Sequence, residues 1–258
     1  MTPVLREAPI IMWRESRFLM RNPVPIVLGF VNPVLWLLLF GSVFYNLARF
    51  PGFPAPNYTT FLVPGILAMN AVARGLISCF NLVWHRHYGF LDKILVTPIS
   101  RSSIFCGQLA VTVIFGAMEA LLIMGVGALM GMHNASGAAG VPVIVVLYVS
   151  LQLTFIAVSM MMIRMIPEQF IGMLQLLILP PVFLSSALFP LAFAPRFIRT
   201  AARFNPLTHA VEAMRVVLID GLKWDSILFH WGIVVGTSAA ALVLAHWVFT
   251  RGLSRHDS

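Results

Sequence analysis

Two ionisable side chains, Arg74 and Glu119, sit inside long apolar runs of the sequence. A charge at that depth in a bilayer costs at least ~2.5 kcal/mol on insertion scales, so such residues pair with one another or line a path for solutes. Both roles are open to these two. His85-x-His87 offers two metal-binding side chains, but i and i+2 point apart on a helix. His209-x-x-Glu212 would share a helix face, yet it lacks the second histidine of a zinc-protease motif. Neither supports a metal centre. The two lysines, Lys93 and Lys223, stand outside any G-x-x-x-x-G-K-[ST] context, so there is no phosphate-binding loop. H-E-x-x-H and G-x-S-x-G are also absent. No catalytic, cofactor-binding or metal-ligating set is expected, and the chain is not expected to be an enzyme by itself.

The elements that hold these residues are set by composition. Of 258 residues, 59% are hydrophobic and 10% charged, with a mean hydropathy of +0.91. A soluble domain carries about 25% charged residues, so this is an integral membrane protein. The net charge of +8 then reflects orientation and contact with anionic headgroups rather than nucleic acid. Cys79 and Cys106 each fall at the inner end of an apolar run, a poor setting for a structural disulfide. The N-terminal segment does not have the pattern of a cleavable signal.

Six apolar stretches, 24–47, 58–83, 104–132, 141–166, 170–189 and 227–249, are each long enough to cross a ~30 Å hydrocarbon core. The expected architecture is an all-α polytopic membrane protein, a single transmembrane domain over 1–258. In residues 1–23, Leu5, Ala8, Met12, Ser16 and Leu19 share one side of a helical wheel. Glu7, Arg14, Arg17 and Arg21 share the other, as in a helix lying at the membrane surface. Pro180-Pro181 removes two backbone donors inside the fifth stretch, which must kink or break there. Residues 190–225 are charged and divided by Pro190, Pro195 and Pro206. Asn205 reads as a helix cap and Pro206 as the first helical position, with a stop at Asp220-Gly221. Two short amphipathic helices around this turn predict a re-entrant hairpin between the fifth and sixth spans. An even number of spans puts both termini on one face. That face holds the N-terminal arginines with Arg86, Lys93, Arg101, Arg164, Arg251 and Arg255, and the positive-inside rule makes it cytoplasmic, leaving the hairpin outside. Gly127-x-x-x-Gly131 and Gly232-x-x-x-Gly236 offer close helix approach.

Residues 84–103 are the charged, turn-bearing loop between the second and third spans. Gly89 interrupts the span, Phe90 to Leu95 forms a short amphipathic turn, and Thr97-Pro98 ends it. Leu91, Ile94 and Leu95 are available to dock on a partner.

Here the sequence resembles a known family. Gly-x-Leu-Asp-Lys-Ile-Leu-Val-Thr-Pro-Ile-Ser-Arg, from Gly89 to Arg101, is similar to the cytoplasmic-loop signature of ABC-2-type permeases, the membrane subunits of ATP-binding-cassette exporters. So are Phe61-Leu62-Val63-Pro64-Gly65-Ile66-Leu67, Leu184-Ser185-Ser186-Ala187-Leu188-Phe189-Pro190, and Phe204-Asn205-Pro206-Leu207-Thr208-His209-Ala210-Val211-Glu212-Ala213-Met214-Arg215. The resemblance covers nearly the whole chain. Within the family it is most similar to permeases of drug or antibiotic efflux, of the daunorubicin-resistance type, and of nodulation-factor export.

The resemblance implies a permease in the bacterial plasma (inner) membrane that exports an amphipathic substrate, a drug, an antibiotic or a lipid-linked glycan. It implies two copies of a separate ATPase subunit, which carry the ATP and Mg, and a second permease protomer in a homodimer; membrane lipid is a partner and nucleic acid is not. Arg86, Gly89, Phe90, Leu91, Asp92, Lys93, Ile94 and Leu95 would couple to the ATPase, and Pro190, Asn205, Pro206, Glu212 and Arg215 would belong to the outer hairpin. The chain departs from the family at Trp84-His85-Arg86-His87-Tyr88-Gly89, where many members carry a W-E-R-E-x-G-like run. Coupling through those carboxylates is therefore not carried over, and histidines there would make the loop pH-sensitive. The rival readings are an ATP-independent channel or secondary carrier, and an intramembrane lipid-modifying enzyme.

Overall fold

The computed structural model describes residues 9–10, 12–13, 16–17, 21, 23–87, 101–165, 176 and 178–251. Among the described residues the regular structure is helical throughout, with no strand. The helices are α1 (Pro23–Val43), α2 (Tyr58–His87), α3 (Arg101–Leu129), α4 (Gly140–Met165), α5 (Leu179–Phe183), α6 (Arg196–Ala202), α7 (Pro206–Ile219) and α8 (Trp224–Arg251). Four of them carry segments long and apolar enough to cross a membrane: Tyr58–Leu76, Leu109–Leu129, Gly137–Met162, which begins just before α4, and Trp224–Ala245. In α1 the apolar segment is shorter, Val27–Val43.

α2 is the axis of the bundle. It packs against α1, α3, α4 and α7, and 78% of its apolar window is buried, against 22% for α8. Phe61, Leu62, Ile66 and Leu67 of α2 are fully buried, with Tyr148 and Leu151 of α4 and Met214 of α7 among their neighbours in one core. By contrast α1, α3 and α8 turn large apolar side chains outward, such as Val43, Leu129 and Val243. Outward-facing apolar side chains are what a lipid solvent accepts and water does not.

Several boundaries differ from the sequence expectation. α2 continues through Trp84 to His87, because from Leu76 onward no glycine or proline stands before Gly89 and polar residues do not end a helix. α3 begins at Arg101 and ends at Leu129. Gly131 then adopts φ +83°, and the N–H of Met132 bonds back to Gly127 O at 2.9 Å, closing the helix in a left-handed turn. Gly131 is thus a helix terminator and not half of a helix-packing pair; Gly127 alone packs closely, where an added Cβ would lie 2.7 Å from Val63 Cγ2. Among the described residues Gly232 and Gly236 meet nothing within 4 Å, so that pair makes no close approach there.

Of the expected fifth span, 170–189, the described residues are 176 and 178–189. Its described end is not helical to Phe189. Pro180 and Pro181 stand in the first turn of α5, where missing N–H groups cost nothing, and the chain leaves the helix at Leu184. Residues 184–190 form an irregular strap, with Ser185, Ser186, Ala187 and Leu188 buried. At the N-terminal segment, positions 9–10, 12–13, 16–17 and 21 are helical. Met12 and Ser16 are half-buried, Arg17 and Arg21 are exposed, and the Arg17 guanidinium lies 4.1 Å above the Trp13 ring.

Candidate functional site

Irregular backbone inside a membrane bundle is tolerated only where protein groups take up its hydrogen bonds. The strap 184–190 meets that condition through three side chains. Asn205 donates from Nδ2 to Pro181 O (2.7 Å) and Leu184 O (3.0 Å), while its Oδ1 accepts the Leu207 N–H (3.0 Å) as the cap of α7. Arg215 Nη2 donates to Ser186 O at 2.6 Å and Ala187 O at 3.4 Å. The Tyr58 hydroxyl reaches Leu188 O at 3.4 Å. Ser185 closes the turn on itself, donating to Val182 O and accepting the Ala187 N–H.

Arg215 does more than hold the strap. Its Nε and Nη2 also donate to Phe61 O of α2 at 3.3 Å, its Nη1 pairs with Glu212 Oε1 at 2.9 Å, and its Cζ stands 3.6 Å above the Phe61 ring. One guanidinium therefore ties α7, α2 and the strap together. Burial pushes its pKa down to about 10, with Glu212 pulling the other way, so it keeps its charge at neutral pH. Where the strap crosses α2 it lies on Gly65: an added Cβ there would land on the Ala187 carbonyl. Beside this clamp, Phe61, Pro190, Leu191, Glu212, Arg215 and Asp220 line part of a cavity of about 280 Å³.

The second cluster lies farther along α2. Arg74 Nε donates to Glu119 Oε2 at 2.7 Å, and its Nη2 lies against Oε1, so the two intramembrane charges form a two-pronged pair between α2 and α3. Glu119 is fully buried. Gly29 of α1 makes room for the pair, since a Cβ there would stand 2.8 Å from Glu119 Oε1 and on the Arg74 guanidinium. Further polar contacts join α4 to α2 and α3: Tyr148 OH to Asn70 Oδ1 (2.6 Å), Gln152 Nε2 to Thr112 O (3.2 Å) and Ser159 Oγ to Gly75 O (3.0 Å).

The structure thus brings Arg74 to Glu119, and gathers Pro190, Asn205, Pro206, Glu212 and Arg215 around the strap. It does not join the two clusters. Arg86 is in the last turn of α2; Gly89, Phe90, Leu91, Asp92, Lys93, Ile94 and Leu95 lie outside the described residues. Sequence reasoning missed Tyr58, Gly65 and Gly29, whose roles come from long-range packing, and His230, which meets His209 across α7 and α8 with the two Nδ1 atoms 3.0 Å apart. Among the described residues no group of three or more metal-ligating side chains comes together.

Known proteins match this sequence along most of its length. The membrane domain described as ABC-2 type transporter matches residues 7–219. A protein named as transport permease ycf38 of Cyanophora paradoxa is 30% identical over 254 residues, 93% of this chain and 85% of its own. The doxorubicin resistance ABC transporter permease protein DrrC of Mycobacterium tuberculosis is 22% identical over 231 residues, 87% of this chain and 80% of its own. Nodulation protein J of Rhizobium leguminosarum bv. viciae is 25% identical over 231 residues, 86% of each. With the match spanning α1 to α7, both clusters included, the chain belongs to the ABC-2 type transporter family of multi-pass membrane permeases.

Proposed function

We propose that this chain is the permease subunit of an ATP-driven exporter. It would form the translocation path for an amphipathic substrate, a drug, an antibiotic or a lipid-linked glycan, in a bacterial plasma membrane. The observation that carries this reading is the ABC-2 match over 7–219 in a sequence without a phosphate-binding loop. Hydrolysis is therefore assigned to two copies of a separate ATPase subunit, which hold ATP and Mg, and a second permease protomer completes a homodimer. Relatives named for doxorubicin resistance and for nodulation support export of amphipathic cargo.

The proposed topology has six spans with both termini inside. α1 and the 170–189 stretch join the four long apolar helices as spans, α6 and α7 form the outer re-entrant hairpin, and the N-terminal segment lies along the inner surface. The loop 84–103 and the N-terminal helix receive the ATPase. ATP drives the cycle only if it binds the closed ATPase dimer better than the open one. The test is uptake of a fluorescent amphiphile into inside-out vesicles holding this chain with or without its ATPase. Accumulation is expected only with both ATPase and ATP. Accumulation without the ATPase would instead identify a channel or secondary carrier.

A further inference from the structure

α7 and α8 are held together at one end by a pair of imidazoles. The His209 and His230 Nδ1 atoms are 3.0 Å apart, with ring centroids at 5.3 Å. The other nitrogen of His209, Nε2, lies 2.9 Å from the Arg203 carbonyl. A carbonyl only accepts, so His209 carries its proton on Nε2 and presents a bare lone pair at Nδ1. His230 must then donate from its own Nδ1, which leaves its Nε2 as the one unprotonated nitrogen on that ring. The neutral pair has one arrangement.

This arrangement responds to protons in two different ways. A first proton fits on His230 Nε2, leaves the Nδ1–H···Nδ1 bond in place and makes it charge-assisted. A second proton has only His209 Nδ1 to occupy. Two N–H groups then face each other across the contact and two cations share it, so the bond is lost. Both rings are half-buried rather than sealed, and protons reach them.

The surrounding charges are few. On α7, Glu212 stands one turn beyond His209 and is ion-paired to Arg215; of these charges, those of His209 and Glu212 act on His230. Arg203 is exposed and contributes its carbonyl. Asp220 and Lys223 pair in the turn before α8, and Asp225 lies in its first turn. On α8 the Phe229 ring packs edge-on against His230. α4, which also packs on α7 and α8, has no ionisable side chain before Arg164 apart from the Tyr148 phenol, which is bonded to Asn70 of α2. α2, which also packs on α7, brings the Tyr58 phenol and, farther along, Arg74 paired with Glu119.

We propose that His209 and His230 form a proton-operated latch between the hairpin α6–α7 and the last helix, closed with up to one proton and opened by the second. Only the side from which the protons come rests on the exporter reading, which places the latch outside. The latch requires no ATPase, so its test is independent of that reading.

The measurement uses the purified full chain in lipid nanodiscs, with Cys79 and Cys106 replaced by Ala and spin labels on Phe204→Cys and Leu228→Cys. Pulsed electron spin resonance reads their separation from about pH 8 to about pH 5, the range over which imidazole titrates. A longer-distance population is expected to grow as pH falls. In the His209→Asn/His230→Asn variant, an amide pair preserves a donor facing an acceptor without a titratable group, and the distance is expected to stay constant. Melting of this variant at pH 8 close to the parent chain establishes that the hairpin is still docked. An unchanged parent distribution at low pH, or the same growth in the double variant, would overturn the latch.

Discussion

Arg215 is held by geometry that only a guanidinium supplies. Its planar fork reaches three backbone carbonyls and Glu212 at once while its face lies on the Phe61 ring. A lysine brings the same charge but no fork and no flat face. Arg215→Lys is therefore expected to destabilise the chain by about 2–4 kcal/mol, since a hydrogen bond to a charged group is worth roughly 1.5–3 kcal/mol and unpaired buried carbonyls add to the loss. A thermal melt in detergent measures this, and a melt unchanged from wild type would refute the clamp. Arg74 and Glu119 pose a different question. As charges within apolar runs they stood out in the sequence, but nothing local announces that residues 45 apart are partners. Glu119→Gln leaves the Arg74 charge unpaired in the bundle, a change that costs about 3–5 kcal/mol at buried pairs. The double variant Arg74→Met/Glu119→Leu removes both charges and is expected to recover most of the melting temperature and, with it, export. Recovery of the fold without export would place the pair on the transport path instead.

The elements show which signals are local. Asn205-Pro206 and Asp220-Gly221 carry their own start and stop chemistry, so the bounds of α7 could be read from four residues: the cap bond and the φ of +88° at Gly221 are both present. The apolar runs likewise announce α2, α3, α4 and α8. The strap could not be read. Leu184 to Leu188 holds no glycine or proline to mark a break, and it leaves the helical path because Asn205, Arg215 and Tyr58, each at least 17 residues away in sequence, offer its carbonyls other partners. Its seat on α2 is just as distant, and Gly65, though part of a family-like motif, carried no sign that the strap would cross it. Gly65→Ala is expected to push the strap off α2 and to destabilise by about 1–3 kcal/mol, the usual cost of overpacking a close contact. Hydrogen exchange that accelerates at 184–190 and at the first turns of α7, with α8 unaffected, would locate the damage; uniform protection across all three would show that the strap tolerates the methyl.

On the scale of the whole molecule, the length of α2 ties the bundle to the loop beyond it. Thirty residues in one helix span ~45 Å, about 15 Å more than a hydrocarbon core. The Tyr58 end is tied down by Asn57, which caps α2 through the Thr60 N–H and donates to Gly131 O in the turn after α3. The excess length therefore lies at the Trp84–His87 end, and α3 is described from Arg101. α2 and α3, which flank residues 88–100 in sequence, pack on each other. On the proposed function, α2 would connect the loop that follows it with the strap at its other end, and the loop would bind the ATPase through its apolar side chains. Leu91→Asp is expected to leave the melting temperature of the isolated chain unchanged, to weaken ATPase binding at least tenfold, and to abolish ATP-driven uptake while ATP turnover by the ATPase alone continues. His85→Gln/His87→Gln, a change on α2 itself, should spare binding and remove any dependence of coupling on pH between about 6 and about 8. Normal uptake by the Leu91→Asp complex would mean that the drive enters elsewhere, with the N-terminal helix the next segment to test.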